Sequence, residues 1–569
     1  MKKVVLLLLL FAALFISGCR EKEKPQPVQQ PVQVAPDELV VVSTNDFHGA
    51  LDRAEGLASV IRDLRKKYRE HMVYLDAGDQ FQGSLESNIT KGRAVIEFFN
   101  LLGLDAAALG NHELDYGPDV PGRVTVLPNE DGMGNLTSLL KILKYPMISA
   151  NFVSDPIQSC ATPGPYCNAL RQQTILQPRV IFQRGGKKVC VAGATTAATG
   201  NITNPDFIRG KRFLDPEPIV AAEAKWLRET EKCDWLLLNI HEGLRYEPDG
   251  KTLKKIALLP ILEHLPHSTF DAVIGGHSHV QVQTQINGMP IIQTGTAAKV
   301  VGVLHLKRMR DRVSFRFDPF VPVPDTAVAF DVTKLLLPYR QRALEQKRHI
   351  VGSTVAPFPQ DKTAESALGN LMADAVLDAA KERDPDAQFS LMNGGGIRSD
   401  LPAGKISYDN VFKLMPFNNS LVVVNLAGSE LRLLLEVAFS GALGMPSVSG
   451  LRVKVLNVQA GEQGPWSRDL NGDGMKEDWE RNLLVDARDE KGRIIEDIKR
   501  YKLTTNSFLV EGGDYQDLIY EKILPTSIRI YEGTLIRDIL AQYFSAHSPL
   551  NPAKYYTPAK ARIKLVSPK

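Results

Sequence analysis

The chain has 569 residues, 68 Lys+Arg against 65 Asp+Glu, and a formal net charge of +3. With 44% hydrophobic and 23% charged residues it is neither disordered, collagen-like nor a polytopic membrane protein, and its length allows three or four domains. The balanced charge argues against a nucleic-acid polymer as partner, and five cysteines are too few for a disulfide scaffold.

Lys2 and Lys3 precede an apolar run, Val4 to Ile16, that is too short for a comfortable membrane span. Ser17 and Gly18 are small, and Cys19 follows. This is the three-part shape of an export signal over residues 1–18. Ile16-Ser17-Gly18-Cys19 looks like a bacterial lipobox, in which Cys19 is lipidated and becomes the new N-terminus. An uncleaved anchor, or an ordinary signal that happens to contain a cysteine, is the bland alternative, but small residues sit directly before the cysteine and a tether follows it. Residues 19–37 are rich in Pro and Gln, with Pro25, Pro27, Pro31 and Pro36 favouring extended geometry. They read as a spacer between a membrane and the body of the protein, whose near-neutral charge leaves acyl chains as the membrane anchor.

From Glu38 onward, five short apolar runs end in polar clusters. Leu39 to Val42 breaks into Thr44-Asn45-Asp46-Phe47-His48-Gly49. Met72 to Leu75 ends in Asp76-Ala77-Gly78-Asp79. Asp105 to Leu109 leads into Gly110-Asn111-His112-Glu113-Leu114-Asp115. Trp235 to Ile240 ends at His241, and Ala272 to Ile274 leads into Gly275-Gly276-His277-Ser278-His279. The lengths are those of strands. Helical spacing is predicted for Gly56 to Arg69, Gly92 to Leu102 and Ile219 to Glu231. The rhythm predicts an α/β layered domain with buried strands, in which ligands gather at strand ends.

A single Asp or His after a strand is usually a cap or a turn residue. Five such ends are harder to dismiss. Asp46, His48, Asp79, Asn111, His241, His277 and His279 form a mixed oxygen and imidazole set. That chemistry suits Zn, Mn, Fe, Co or Ni better than Ca or Mg, and the lack of Cys argues against structural zinc. Seven ligands exceed one tetrahedral metal and fit a pair of divalent ions sharing a bridging carboxylate.

Among the remaining cysteines, Cys160 and Cys167 flank a Pro/Gly-rich stretch and would close a small disulfide loop in an exported protein. Cys190, in an apolar strand-like run, reads as a buried thiol. Cys233 is open.

In this order, T-N-D-F-H-G, A-G-D-Q, G-N-H-E-L-D, H-E-G and G-H-S-H resemble the calcineurin-like metallophosphoesterases, in the form of their 5′-nucleotidase branch. The second half strengthens the resemblance through Asn393-Gly394-Gly395-Gly396-Ile397-Arg398, Leu414-Met415-Pro416-Phe417 and Phe508-Leu509-Val510-Glu511-Gly512-Gly513-Asp514. It implies a four-layer α/β/β/α sandwich over 38–325, a linker helix within 326–350, and a second, smaller α+β substrate-binding domain over 351–569. It further implies that Asp46, His48, Asp79 and His279 hold one metal. Asp79, Asn111, His241 and His277 would hold the other, with Zn, Mn or Co as candidate ions. His112 and Asp115 match the catalytic dyad. Phe417 and Phe508 match the aromatic pair that sandwiches a nucleobase, and Asn393, Arg398 and Asp514 match polar contacts to the nucleotide. Phenylalanines in strand-rich segments are otherwise core residues, and Arg398 alone would be a solvated charge.

The resemblance implies a dimetal phosphohydrolase acting outside the cytoplasm on nucleoside 5′-monophosphates. The same scaffold would also serve 2′,3′-cyclic or 3′-nucleotides, nucleotide-sugar or dinucleotide pyrophosphates, or sulfur esters. A non-catalytic nucleoside-binding lipoprotein would be expected to lack a ligand or His112, and both are present. No obligate protein partner is indicated. One departure is the stretch Asp361 to Ser366, where members of the family often place arginines and only Lys362 is basic; lysine lacks the planar fork of arginine. Finally, Asp469, Asn471, Asp473 and Glu480 fit the spacing of an EF-hand-type loop and would form a structural calcium site. A polar hairpin loop explains the same residues, and Lys476 occupies a position that is usually apolar.

Overall fold

The computed structural model describes residues 34–568 apart from 121–125, 128, 156–173, 204–205, 247–250, 254–257, 311, 418, 459–461, 463, 471–475, 477 and 511. Cys19, Cys160, Cys167, Asn471 and Asp473 lie outside the described residues.

The first half folds around two sheets. One runs in the order Val313–Phe317, Val300–Arg308, Glu38–Thr44, Met72–Asp76, Ala106–Ala108, Met147–Ile148, and its last four strands are parallel. The other runs Gln281–Ile286, Met289–Thr294, Ala272–Ile274, Trp235–His241, Lys187–Thr195, Arg179–Arg184, with the middle four parallel. Their central strands read as continuous apolar runs because both faces are covered. Val41, Val73 and Leu75 of the first sheet meet Val191, Trp235, Leu237 and Ile274 of the second in one buried cluster. Helices Ala54–Tyr68, Arg93–Leu102 and Gly134–Leu140 cover the outer face of the first sheet. Helices Pro216–Trp226 and Leu258–His264 cover that of the second. The result is four layers, α/β/β/α.

Local signals place the helix ends near the predicted ones. Arg93–Leu102 is bracketed by Gly92 and Gly103, at φ 87° and 74°, where a side chain would be strained. Pro216–Trp226 starts earlier than the apolar periodicity suggests. Asp215 caps it by accepting from the Glu217 amide, and Pro216 takes the first turn, where no amide donor is needed.

The second half is α+β. Its five-stranded sheet has the order Ser447–Ser449, Phe389–Met392, Arg500–Asn506, Ser420–Ala427, Ile528–Leu535. Alternation along Ser420–Ala427 sends Leu421 and Val423 toward helices Ala367–Lys381 and Ile536–His547, and Val422 and Val424 toward helix Gly428–Ala438. A smaller sheet joins Leu484–Asp489, Leu451–Leu456 and Ile563–Val566. Between the halves, helix Phe330–Arg348 is fastened to the first one. Val332 and Leu336 enter its core, Arg340 pairs with Glu55 at 2.6 Å, and Arg62 with Asp331 at 2.6 Å.

One reading needs correction. Cys190 is not a buried thiol; it forms a disulfide with Cys233. Cys190 lies in Lys187–Thr195, and Cys233 immediately precedes Trp235–His241, the strand paired beside it. Burial alone does not separate a thiol from a half-cystine, and the partner is 43 residues away in sequence. Closing a loop of that length restricts the unfolded chain and contributes about 2–4 kcal/mol. Reduction with a phosphine should therefore lower the thermal midpoint by several degrees, and Cys190→Ser with Cys233→Ser should reproduce the shift; calorimetry with and without reductant reads it.

Candidate metal centre

All five parallel strands nominated from the sequence end at one pole of the sandwich. Asp46 and His48 follow Glu38–Thr44, Asp79 follows Met72–Asp76, and Asn111 follows Ala106–Ala108. His241 closes Trp235–His241, and His277 and His279 follow Ala272–Ile274. The ligand atoms of Asp46, His48 and His279 all lie within 4.8 Å of one another, as do those of Asp79, His241 and His277. Asp79 stands between the groups. Its Oδ2 is 3.0 Å from His241 Nε2 and 4.0 Å from the Nε2 atoms of both His48 and His112. Asn111 Oδ1 is 3.1 Å from His241 Nε2. The geometry brings all seven ligand-type residues together, in two groups linked by a third in which Asp79 and His48 meet His112.

Backbone carbonyls aim the imidazoles. His241 Nδ1–H donates to the Ala77 carbonyl at 2.8 Å, and His48 Nδ1–H donates to that of Gln82 at 3.1 Å. Each bond fixes the tautomer and turns Nε2 inward. Asp46 accepts the His277 amide on both oxygens at 3.0 Å, which ties the first sheet to the loop of the second. The loops are strained to do this. Asp46, His48, Asp79, His277 and His279 all have positive φ, between 48° and 71°. Non-glycine residues held there cost about 1–3 kcal/mol each, which the surrounding hydrogen bonds must offset.

Glu113 was not among the sequence candidates, and it organises these loops. Its buried carboxylate accepts from the amides of Gln80 at 2.7 Å, Phe81 at 3.2 Å, Asp79 at 3.1 Å and Gly110 at 2.7 Å. Gly110 must be glycine, because a Cβ there would stand 2.2 Å from Asp79 Oδ1. The only signal in the sequence was a carboxylate set between the dyad histidine and an apolar residue in G-N-H-E-L-D.

The dyad is formed. His112 Nδ1–H donates to Asp115 Oδ2 at 2.7 Å, so Nε2 faces Asp79. Gly533 of the second domain presses on Asp115; a Cβ there would lie 2.4 Å from the Asp115 carbonyl oxygen. Strand Ile528–Leu535 thus brings the second domain to the dyad.

Burial, reinforced by nearby imidazolium charge, pushes His48 and His277 down to about 3, so both are neutral donors at ordinary pH. Burial also opposes charge on His241, but the Asp79 carboxylate overrides it and raises the imidazole to about 10. Asp79 is held well below its usual range: burial disfavours its charge, and the surrounding imidazoles, His241 first, prevail. Burial raises Asp115, against the pull of His112.

In the second domain, Asn393 Nδ2 donates to Asp514 at 3.1 Å and Asn506 Nδ2 donates to Asn393 Oδ1 at 3.2 Å. The Arg398 guanidinium lies over the Phe417 ring at 5.0 Å. Phe508 is 39% exposed, which sets it apart from core phenylalanines, and Gly513 fits closely against its ring. Phe417 is half-buried at the core edge. Lys362 is exposed. In the loop 469–480, the Glu480 carboxylate is buried and accepts the Leu470 amide at 2.7 Å; two of the four proposed oxygen donors fall outside the described residues.

The calcineurin-like phosphoesterase family matches residues 39–281, and the 5′-nucleotidase C-terminal domain matches residues 350–520. Protein UshA of Yersinia enterocolitica is 26% identical over 91% of this chain and 92% of its own length. A 5′-nucleotidase of Vibrio parahaemolyticus is 24% identical over 95% and 94%. The structure of a 5′-nucleotidase precursor from Thermus thermophilus covers 94% of this chain and 100% of its own, with a TM-score of 0.54 at 24% identity, a likeness of fold.

The donors fit a pair of divalent ions: each group offers carboxylate and neutral or neutralisable imidazole, the mixture that first-row ions favour. The proton on His241 must leave when a metal takes Nε2. Metal uptake between pH 7 and 9 should release about one proton, and affinity should fall about tenfold per pH unit of acidification. Calorimetry of zinc or manganese binding to metal-stripped protein, in buffers of different ionisation enthalpy, counts that proton.

Proposed function

We propose, on the match of its two halves to the calcineurin-like phosphoesterases and to the 5′-nucleotidase C-terminal domain, that the chain hydrolyses nucleoside 5′-monophosphates to nucleosides outside the cytoplasm. It is a metal-dependent phosphoester hydrolase. The observation that carries the reading is the convergence of seven ligand-type residues and the His112–Asp115 pair at one pole, with the second domain in contact with that pair.

When bound, two divalent ions supply Lewis acidity and a water acidic enough to attack near neutral pH. Asp46, His48 and His279 would hold one, and Asn111, His241 and His277 the other, with Asp79 shared. Asp115 holds the His112 Nδ1 proton, which leaves Nε2 to give or take a proton at the phosphoryl centre. Phe508 and Phe417 offer ring faces to a base, which bind by stacking with little discrimination among bases. Asn393, Arg398 and Asp514 contact the rest of the nucleoside. Lys362 supplies a point charge where an arginine fork is absent.

The domain boundaries proposed are 38–325 for the catalytic unit, 326–350 for the linker and 351–569 for the substrate-binding unit. Residues 1–18 form the export signal, and lipidated Cys19 anchors the protein through the 19–37 tether. Two features support export and anchoring: the Cys190–Cys233 disulfide, typical of oxidising compartments, and the lipobox-like sequence. Among the described residues no helix is long and apolar enough to cross a membrane.

Phosphate release from a panel of 5′-, 3′- and 2′,3′-cyclic nucleotides and dinucleotides tests the substrate. Activity should be highest on 5′-monophosphates and abolished by chelation; inactivity on every nucleotide would overturn the reading. His112→Ala should lower kcat about 10²–10⁴-fold while elemental analysis finds the metal content unchanged. Phe508→Ala should raise KM by about 5–100-fold, the loss of one base stack, with kcat little altered. Cys19→Ser should move the protein from the membrane fraction to the soluble fraction when the membranes are washed at high salt, which screens any charge-based contact.

A further inference from the structure

The pole of the sandwich opposite the metal centre carries basic side chains whose charge the site does not use. The strands that end at the metal ligands all begin at this pole. Here Glu38 opens its strand, and the Arg308 amide bonds the Asp37 carbonyl at 2.9 Å, so the tether enters the fold at this end. Several of its acidic groups are consumed in pairs, and Asp37, Glu70 and Asp234 stand beside them without an ion pair among the described residues. Asp105 pairs with Arg184, Glu231 with Lys188 at 3.5 Å, and Asp271 with both Arg228 at 2.9 Å and Arg308 at 3.1 Å. Two guanidinium groups thus share the single Asp271 carboxylate. Arg228, Arg308, Arg312 and His267 border a cleft of about 830 Å³. Lys187, Lys307, Arg310 and Arg312 have no carboxylate partner among the described residues. The Met309-to-Arg312 turn itself carries two arginines against one acid.

We infer that this basic pole is a docking surface for the anionic headgroups of the membrane that holds the tether, so that the metal centre points away from the lipid. Charge complementarity carries the surface: phosphate-bearing headgroups match the Lys and Arg side chains that have no carboxylate partner among the described residues, each contributing a roughly fivefold gain in affinity near an anionic bilayer. The tether carries the choice of occupant. It leaves from the centre of this same pole, and a short spacer keeps the pole within reach of the bilayer to which Cys19 is joined. The orientation deepens the lipid-anchored reading proposed above and rests on it; the basic surface does not.

The test uses the mature chain, residues 19–569, with Cys19→Ser so that no acyl group contributes. It is sedimented with vesicles of phosphatidylcholine alone or of phosphatidylcholine with phosphatidylglycerol. Binding is expected only to the anionic vesicles, reversed by salt. Lys187→Gln, Arg310→Gln and Arg312→Gln should each weaken it about fivefold while nucleotide hydrolysis in solution is unchanged. No binding to anionic vesicles, equal binding to both, or full binding by the triple variant overturns the docking surface. Mass spectrometry of the wild-type N-terminus tests the anchor separately. An unmodified Cys19 with intact vesicle binding removes the anchor and leaves the surface, whereas an acylated Cys19 with no vesicle binding removes the surface alone.

Discussion

Asp79 is a carboxylate taken out of water, and the rest of the site is arranged around what that demands. A buried negative charge is tolerated only when it is paired and hydrogen-bonded. Asp79 is served from both sheets: His48 approaches from the first, His241 from the second, and its Oδ1 accepts the His112 amide at 3.0 Å. These groups meet only because the two sheets pack face to face through Val73, Leu75, Leu237 and Ile274. The apolar cluster and the charged cluster are therefore one construction, with the first holding the sheets in register and the second placed where their parallel strands end.

The loops at that end accept strain for the sake of direction. Five of the ligand-type residues hold positive φ, while ordinary side chains avoid it. A second set of groups keeps them there. Glu113 gathers four amides from two loops, and Asn45 donates to the Gly295 carbonyl at 2.6 Å and accepts the Thr294 amide at 2.6 Å, which links the loop of Asp46 to the second sheet. These contacts fix where each donor points before any ion arrives, so less ordering is left for the binding step. The same contacts explain why G-N-H-E-L-D is dense in chemistry. Within six residues it supplies a ligand-type amide, the imidazole proposed to transfer a proton, the carboxylate that aims that imidazole, and the carboxylate that folds the loop.

The parallel sheets also give the molecule a direction. The ligand-type residues collect at the carboxyl ends of the strands, and residues 34–37 lead in at the amino end of the first strand. A chain held at that point would present its site to the solvent, with the second domain reaching the dyad through Gly533. Helix Phe330–Arg348, clamped to the first domain by Arg340–Glu55, sets where the second domain begins.

Much of this was legible in the sequence because the determinants are local. Apolar runs of strand length, the glycines beside them and the Asp, His and Asn that follow are all written within a few residues of one another, and they identified the layers and the seven ligand-type residues. The contacts that span the chain were not legible. Cys190 reads as a buried thiol until Cys233 is placed beside it by the neighbouring strand. Glu113 reads as one more charge until its loop folds back on the Asp79 loop. The exposure of Phe508, and the sharing of Asp271 by Arg228 and Arg308, depend on which elements pack together. The sequence by itself determined which side chains stand at strand ends, because backbone periodicity and turn chemistry act over short range. Only the tertiary structure decided their protonation, their aim and their partners, because burial and charge act between residues that the chain keeps far apart.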